Sequence, residues 1–241
     1  MNILAIDTTT KTASVSVKYQ DKLFMDKITN EVTHSEKLLP LVDKMLNLSN
    51  ATLKDIQMLA CINGPGSFTG IRIGLATAKA FSQVNNLDIF SINSLELIAY
   101  CTVTKKELTG TNYVISVIST NNDRVYYCIY KLDRINDKIQ IDALTKIQND
   151  YIDEAVENIQ NYLTDNRISA NLYVSGNCIN QFKEDILSLN CNTFDFYPDT
   201  NDCINIYSYI DDISKYTFNA YTLKATYARP SQAERMQNGK N

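Results

Sequence analysis

Four of the chain's seven glycines fall within eleven residues, in the run Asn63-Gly64-Pro65-Gly66-Ser67-Phe68-Thr69-Gly70-Ile71-Arg72-Ile73-Gly74. An apolar segment, Met58 to Ile62, precedes the run, and small residues follow it to Phe81. This order reads as strand, tight loop, helix. Glycines at such a loop permit positive φ and close backbone approach. A loop feeding a helix N-terminus also aims free N–H groups at one point, which suits a phosphate. The competing reading is a tight turn leading into a glycine-faced helix that packs closely on a neighbour.

The helix behind the loop spans about Thr69 to Val84, and Arg72 and Lys79 are the only charges between Ile56 and Leu87. A helix so poor in charge is short of exposed surface. A second helix is announced by Thr33-His34-Ser35-Glu36, which has the S/T-x-x-E form of a capping box. Leu38, Leu39, Leu41, Val42, Met45, Leu46 and Leu48 cover about half of its wheel at 3.6 residues per turn. One core asks for a stripe of about 100° or somewhat more. Half a wheel implies either two burials, one of them against a partner, or a helix sunk deep in its own core.

The remaining pattern is α/β. Residues 2–6, 12–17 and 22–28 form a three-strand meander, with strands also at 58–62 and 87–92 and a helix from Ser94 to about Val103. A polar stretch at Thr104–Asn112 then precedes a restart: strands at 113–119, 125–132 and 139–143, a helix at 152–163 and a strand at 172–175. Helices are expected near 179–189 and 204–216, with a short strand near 194–196 between them. The expected organisation is residues 1–104 as a first lobe carrying the partner-binding helices, 105–236 as a smaller lobe, and 237–241 as a disordered tail. Two similar halves imply a duplicated α/β architecture.

Bulk properties narrow the function. The net charge of −4 offers no basic excess for binding nucleic acid unaided. No apolar run reaches the roughly 18–20 residues of a membrane span, and the first residues lack a basic signal-peptide region, so a cytoplasmic location is expected. Six scattered cysteines without a C-x-x-C pair suit reduced, buried thiols.

Several strings together resemble the TsaB (YeaZ) family: Ile3-Leu-Ala-Ile-Asp-Thr-Thr-Thr, His34-Ser-Glu-Lys-Leu-Leu-Pro, Gly64-Pro-Gly-Ser-Phe-Thr-Gly with Ala78-Lys79, Ser94-Leu95, and the Tyr-x-Arg of Tyr227–Arg229. The resemblance is strong over residues 1–100 and thin afterward. It departs where Ser119-Thr120-Asn121 replaces the family's Asp-Ala-Arg, and in lacking the proline common before Tyr-x-Arg. It implies a two-lobed actin/sugar-kinase/Hsp70-like fold, a ribonuclease H-like unit duplicated. It further implies a non-catalytic subunit in the making of tRNA N6-threonylcarbamoyladenosine, partnered by a catalytic TsaD-like chain and a TsaE-like ATPase. ATP and metal are then expected on the partner, with no cofactor of this chain's own and tRNA met only through the complex. In the family the two helices described above pair with their counterparts on TsaD, or on a second copy when the chain is alone. Carried onto this sequence, that pairing falls on His34, Leu38, Leu39, Val42, Met45 and Leu46, and on Gly70, Ile73, Gly74, Thr77 and Phe81. A charge at Leu39 or bulk at Gly74 is expected to break the contact and leave the fold intact.

Asp7 with Thr8, Thr9 and Thr10 stands where this fold has its first phosphate loop, here taken as degenerate. The second half offers only Ser175-Gly176-Asn177 in place of a Gly-Gly-rich adenosine loop. The alternative function is a stand-alone ATPase or phosphotransferase resting on Asp7 and the glycine loop. A single histidine, His34, cannot build the two-histidine metal site of TsaD or an H-E-x-x-H peptidase site. Arg72 and Lys79, seven residues apart, can contact an anion or snorkel at an interface rim.

Overall fold

The computed structural model describes residues 1–29, 34–120 and 123–228. The first meander is β1 (Ile3–Asp7), β2 (Thr12–Tyr19) and β3 (Lys22–Thr29), paired antiparallel in that order. On the other side of β1 lie β4 (Met58–Ile62) and β5 (Ile89–Ile92), both parallel. The second half repeats the plan. Strands β6 (Gly110–Ser119), β7 (Arg124–Ile135) and β8 (Lys138–Ala143) form the meander, and β10 (Leu172–Gly176) and β11 (Asn192–Asp195) add parallel to β6. Strand β9 (Gln148–Tyr151) pairs with β7.

Helices fill both sides of each sheet. α1 (His34–Ser49) and α2 (Phe68–Asn85) cover one face of the first sheet, over a core that includes Leu4, Ile6, Val15, Leu59 and Ile89. α3 (Ser94–Lys105) sits between the sheets, with nine of its twelve residues buried. A helix apolar nearly all round belongs in an interior, and each fully buried Leu or Ile there contributes about 1.5–3 kcal/mol. α4 (Ile152–Asp165) and the short α5 (Lys183–Leu187) cover the outer face of the second sheet through Ala155, Ile159, Leu163 and Ile186.

The chain finally returns to the first sheet. α6 (Thr200–Ile206) packs on β1, β2, β4 and α3, and β12 (Thr217–Phe218) pairs antiparallel with β5. Tyr216 fastens this return: its hydroxyl donates to Glu96 Oε1 at 2.6 Å, and its ring meets Phe90 and Tyr100. Burial raises the Glu96 carboxyl above its ordinary range, against the Tyr216 bond, which lowers it. Tyr216→Phe is expected to cost about 1–2 kcal/mol, a hydrogen bond to a buried acid, read as a lower urea midpoint with an unchanged slope.

Two expected helices are shorter than the sequence suggests. The segment near 179–189 is helical only over Lys183–Leu187. The segment near 204–216 is split between α6 and a 3₁₀ turn at Ile213–Tyr216. Asp199 sets the early start of α6, its carboxylate accepting from the N–H groups of Asn201 and Asp202. The capping residue Thr33, Asn121, Arg229 and the tail at 237–241 lie outside the described residues. Among the described residues no helix is long and apolar enough to cross a membrane.

Candidate functional site

Strand β1 ends at Asp7, and the chain turns through Thr8, Thr9 and Thr10 into β2. Asp7 is only 3% exposed, and its Oδ1 accepts from Thr9 N–H at 2.8 Å and Thr9 Oγ1 at 2.7 Å. Burial raises the Asp7 carboxyl to about 6; the Thr9 bonds oppose this, the nearby Asp199 charge adds to it and His34 counters it. Other donors of the turn are likewise spent within the protein. Thr8 Oγ1 donates to the Gly70 carbonyl at 2.6 Å, and Thr10 Oγ1 donates to the Thr12 carbonyl at 3.0 Å. His34 Nε2 lies 3.0 Å from the Thr10 carbonyl, so that nitrogen carries the proton.

The glycine loop presses on this turn. A Cβ at Gly66 would overlap the Thr9 carbonyl, one at Gly70 the Thr8 carbonyl, and one at Gly74 the Thr8 hydroxyl, all inside the 3.0 Å that real Cβ atoms respect. Ser67 N–H donates to the Thr9 carbonyl at 2.6 Å. Gly64 takes a φ of 100° as the chain enters the loop, a conformation glycine adopts without penalty. Gly70 and Gly74 therefore pack inside their own chain, against an assignment to the partner interface. Bulk at Gly74 would damage the fold as well as any contact.

The first helix needs the same correction. His34, Leu38, Val42, Met45 and Leu46 are buried in the chain's own core, because α1 lies in the groove between β2, β3 and α2. The wide apolar arc serves that deep burial. Only Leu39 among the expected α1 contacts remains exposed, at 55%, alongside Leu48. On α2, Ile73, Thr77 and Phe81 are half-buried, while Ala76, Ala80 and Val84 are exposed, Val84 at 83%. These residues recur every three or four positions and share a face. At the N-terminal end of α2, Arg72 lies over the Phe68 ring at 3.9 Å and donates to the Tyr227 hydroxyl at 3.2 Å, so its planar head is already engaged. Lys79 sits half-buried further along the helix.

Between the halves is a cleft of about 820 Å³. Its first wall carries Asp7, Thr9, Thr10, Lys11, Thr12, Ser14, Lys27 and the loop residues Gly66 to Phe68. Its second wall carries Ile118, Ser119, Thr120, Tyr126, Asn177, Gln181 and the stretch Tyr197 to Asp199. The Tyr197 hydroxyl lies 3.1 Å from Thr9 Oγ1, tying the walls together at the floor. Sequence reasoning located Asp7 and the threonines but missed Lys11, Lys27, Gln181 and Tyr197. Lys27 lies on β3 opposite Ser14, a register that the structure supplies; the others sit on turns without a periodic signal.

Both sheets share one order, with the third, second and first strands followed by the two parallel ones. This is the duplicated ribonuclease H-like plan of the two-lobed actin, sugar-kinase and Hsp70-like class. The family model described as TsaD, tRNA N6-adenosine threonylcarbamoyltransferase, matches residues 29–224. The tRNA threonylcarbamoyladenosine biosynthesis protein TsaB of Escherichia coli is 32% identical over 133 residues, 55% of this chain and 56% of that protein. TsaB of Haemophilus influenzae is 30% identical over 128 residues, 53% of this chain and 52% of that protein. The matched segment thus spans about half the length of these curated relatives. The solved structure of YeaZ from Pseudomonas aeruginosa superposes with a TM-score of 0.69 at 16% identity, covering 94% of this chain and 100% of that one. A second Pseudomonas aeruginosa structure, described as similar to peptidase YEAZ, gives 0.71 at 16% identity over 95% and 99%. The chain belongs to the TsaB (YeaZ) family.

Proposed function

We propose that this chain is a non-catalytic subunit in tRNA N6-threonylcarbamoyladenosine biosynthesis, which binds and stabilises a TsaD-like catalytic chain. The observation that carries the reading is the outer face of α2. Ala76, Ala80 and Val84 are exposed there on a helix whose only charges are Arg72 and Lys79. An exposed apolar strip of small side chains lets a second helix approach closely and gains from being covered. On α1, Leu39 and Leu48 are further exposed apolar side chains, on opposite sides of that helix. The spent donors of the Asp7 turn support a role without phosphate transfer of the chain's own. ATP and metal belong to the partner in this reading, a TsaE-like ATPase and tRNA join through the assembled complex, and the chain alone pairs with a second copy through the same face. Its place of work is the cytoplasm.

Val84→Glu and Ala80→Glu test the reading. Each would bury an unpaired carboxylate in the contact, which costs several kcal/mol, so affinity for the cognate TsaD-like chain is expected to fall about a hundredfold or more. Thermal midpoint and circular dichroism are expected to stay unchanged, since both side chains point to solvent. A complex of undiminished affinity, or transfer activity unaltered by removing this chain, would sink the proposal.

A further inference from the structure

The outer face of α2 begins with a charge that the covering of an apolar strip does not explain. We propose that Arg72 is the polar anchor of this face and clasps an Asp or Glu carboxylate of the partner chain. The inference rests on the docking role proposed above and names the chemistry that the partner must bring to it.

Position comes first. Arg72, Ala76, Ala80 and Val84 follow one another at every fourth residue, and all are exposed. Residues so spaced form one ridge along a helix. Arg72 therefore opens the same ridge that the small apolar side chains continue. Lys79 lies beside it and is half-buried.

The head of Arg72 is held in place. Its Cζ lies 3.9 Å from the centre of the Phe68 ring, one turn earlier, and its Nε donates to the Tyr227 hydroxyl at 3.2 Å. The two rings meet with their centres 5.2 Å apart. Tyr227 is fixed in turn by the segment that carries it. Thr226 N–H donates to the Asn63 carbonyl at 2.8 Å, and Asn63 Nδ2 donates to the Lys224 carbonyl at 3.2 Å. Leu223, just before these residues, is buried in the core of the first sheet. An arginine that only snorkels over apolar surface needs no such bracing. Here a long side chain is ordered before a partner arrives, which strengthens whatever contact it makes.

The bracing uses one face of the guanidinium and Nε, and leaves the terminal NH₂ groups to donate elsewhere. Arg72 forms no ion pair among the described residues. No acid occurs between Ile56 and Leu87, in a chain whose net charge is −4. A planar fork of N–H groups matches the two oxygens of a carboxylate. A second copy that packs α2 against α2 brings no carboxylate to this point, since α2 carries none. The anchor therefore favours a different chain over self-pairing.

Affinity of the full chain for the cognate TsaD-like chain tests the anchor. Arg72→Gln is expected to weaken docking about tenfold or more and to make it less sensitive to salt. Arg72→Lys is expected to recover little of the loss, since an ammonium is not a fork. Tyr227→Phe keeps the ring and frees Nε. A loss of about two- to tenfold is expected from it in the parent and none in the Arg72→Gln background, which marks Tyr227 as a positioning residue. Carbodiimide treatment of the Arg72→Lys complex is expected to join the amine at position 72 to an Asp or Glu of the TsaD-like chain. Undiminished docking of Arg72→Gln, or a cross-link from position 72 only to a second copy of this chain, would overturn the proposal. Val84→Glu keeps the two readings apart. If it docks as tightly as the parent, the docking face itself is wrong; if it fails to dock while Arg72→Gln docks normally, only the anchor falls.

Discussion

Gly70→Ala is expected to destabilise the protein by about 3 kcal/mol, although alanine is the better helix former by about 1 kcal/mol. The reason is the Thr8 carbonyl. A Cβ at residue 70 would meet that backbone oxygen well inside 3.0 Å. Backbone cannot rotate aside as a side chain can, and Thr8 is held from both directions: β1 runs into it, and its hydroxyl donates to the Gly70 carbonyl. Relief would have to come from lifting the N-terminal turn of α2 off the sheet, with loss of the buried Ile71 and Leu75. For a domain of this size the thermal midpoint should fall by about 6–12 °C. Gly74→Ala meets only the Thr8 hydroxyl and is expected to cost less. Ala80→Gly, on the exposed side, is the control for propensity alone, at about 1 kcal/mol. If the glycines served a partner instead, Gly70→Ala would leave the isolated chain as stable or slightly more so and would weaken only the complex.

That contrast shows what the sequence could and could not carry. The strand-loop-helix reading of residues 58–84 rests on local chemistry, an apolar run, a turn and a small-residue helix, and the fold follows it closely in β4 and α2. The duplicated order was legible for the same reason, since each meander alternates with period two before its helices begin. What a glycine touches is a tertiary fact, and nothing near residue 70 says that Thr8 lies against it. The half-apolar wheel of α1 is similar. Its arc is equally compatible with a partner and with a deep groove, and only the placement of α2 beside it decides that Leu38, Val42 and Met45 turn inward. Two short strands were lost for another reason. β9 and β12 span four residues or fewer, too short for periodicity to speak. In the second wall of the cleft, Gln181 and Tyr197 lie on the turns beside α5 and β11 rather than in those elements, so they were invisible while Asp7, at the end of a clear apolar strand, was not.

At pH 8 Asp7→Asn is expected to be more stable than the parent by about 2–3 kcal/mol. The folded carboxyl titrates at about 6 and the reference value is 3.8, a gap of about two pH units at roughly 1.4 kcal/mol each. The sign follows from where the proton sits. Between the two values the folded chain keeps a proton that the unfolded chain has released, so folding is favoured at low pH and that contribution is lost as pH rises through about 6. Above this the folded chain holds an ionised carboxylate that burial penalises and the two Thr9 bonds only partly offset. Asparagine keeps an oxygen for the Thr9 N–H and hydroxyl and places its NH₂ group where Asp7 lines the cleft. Urea unfolding of both proteins from pH 4 to pH 8 should show the difference growing across pH 4–6 and level above pH 7. A variant less stable than the parent at pH 8 would mean that the ionised carboxylate is held favourably, with the Thr9 bonds outweighing burial. The expected result has a functional edge: a side chain that costs stability at neutral pH sits at the floor of the cleft, where its oxygen and the Tyr197–Thr9 contact hold the two walls in register.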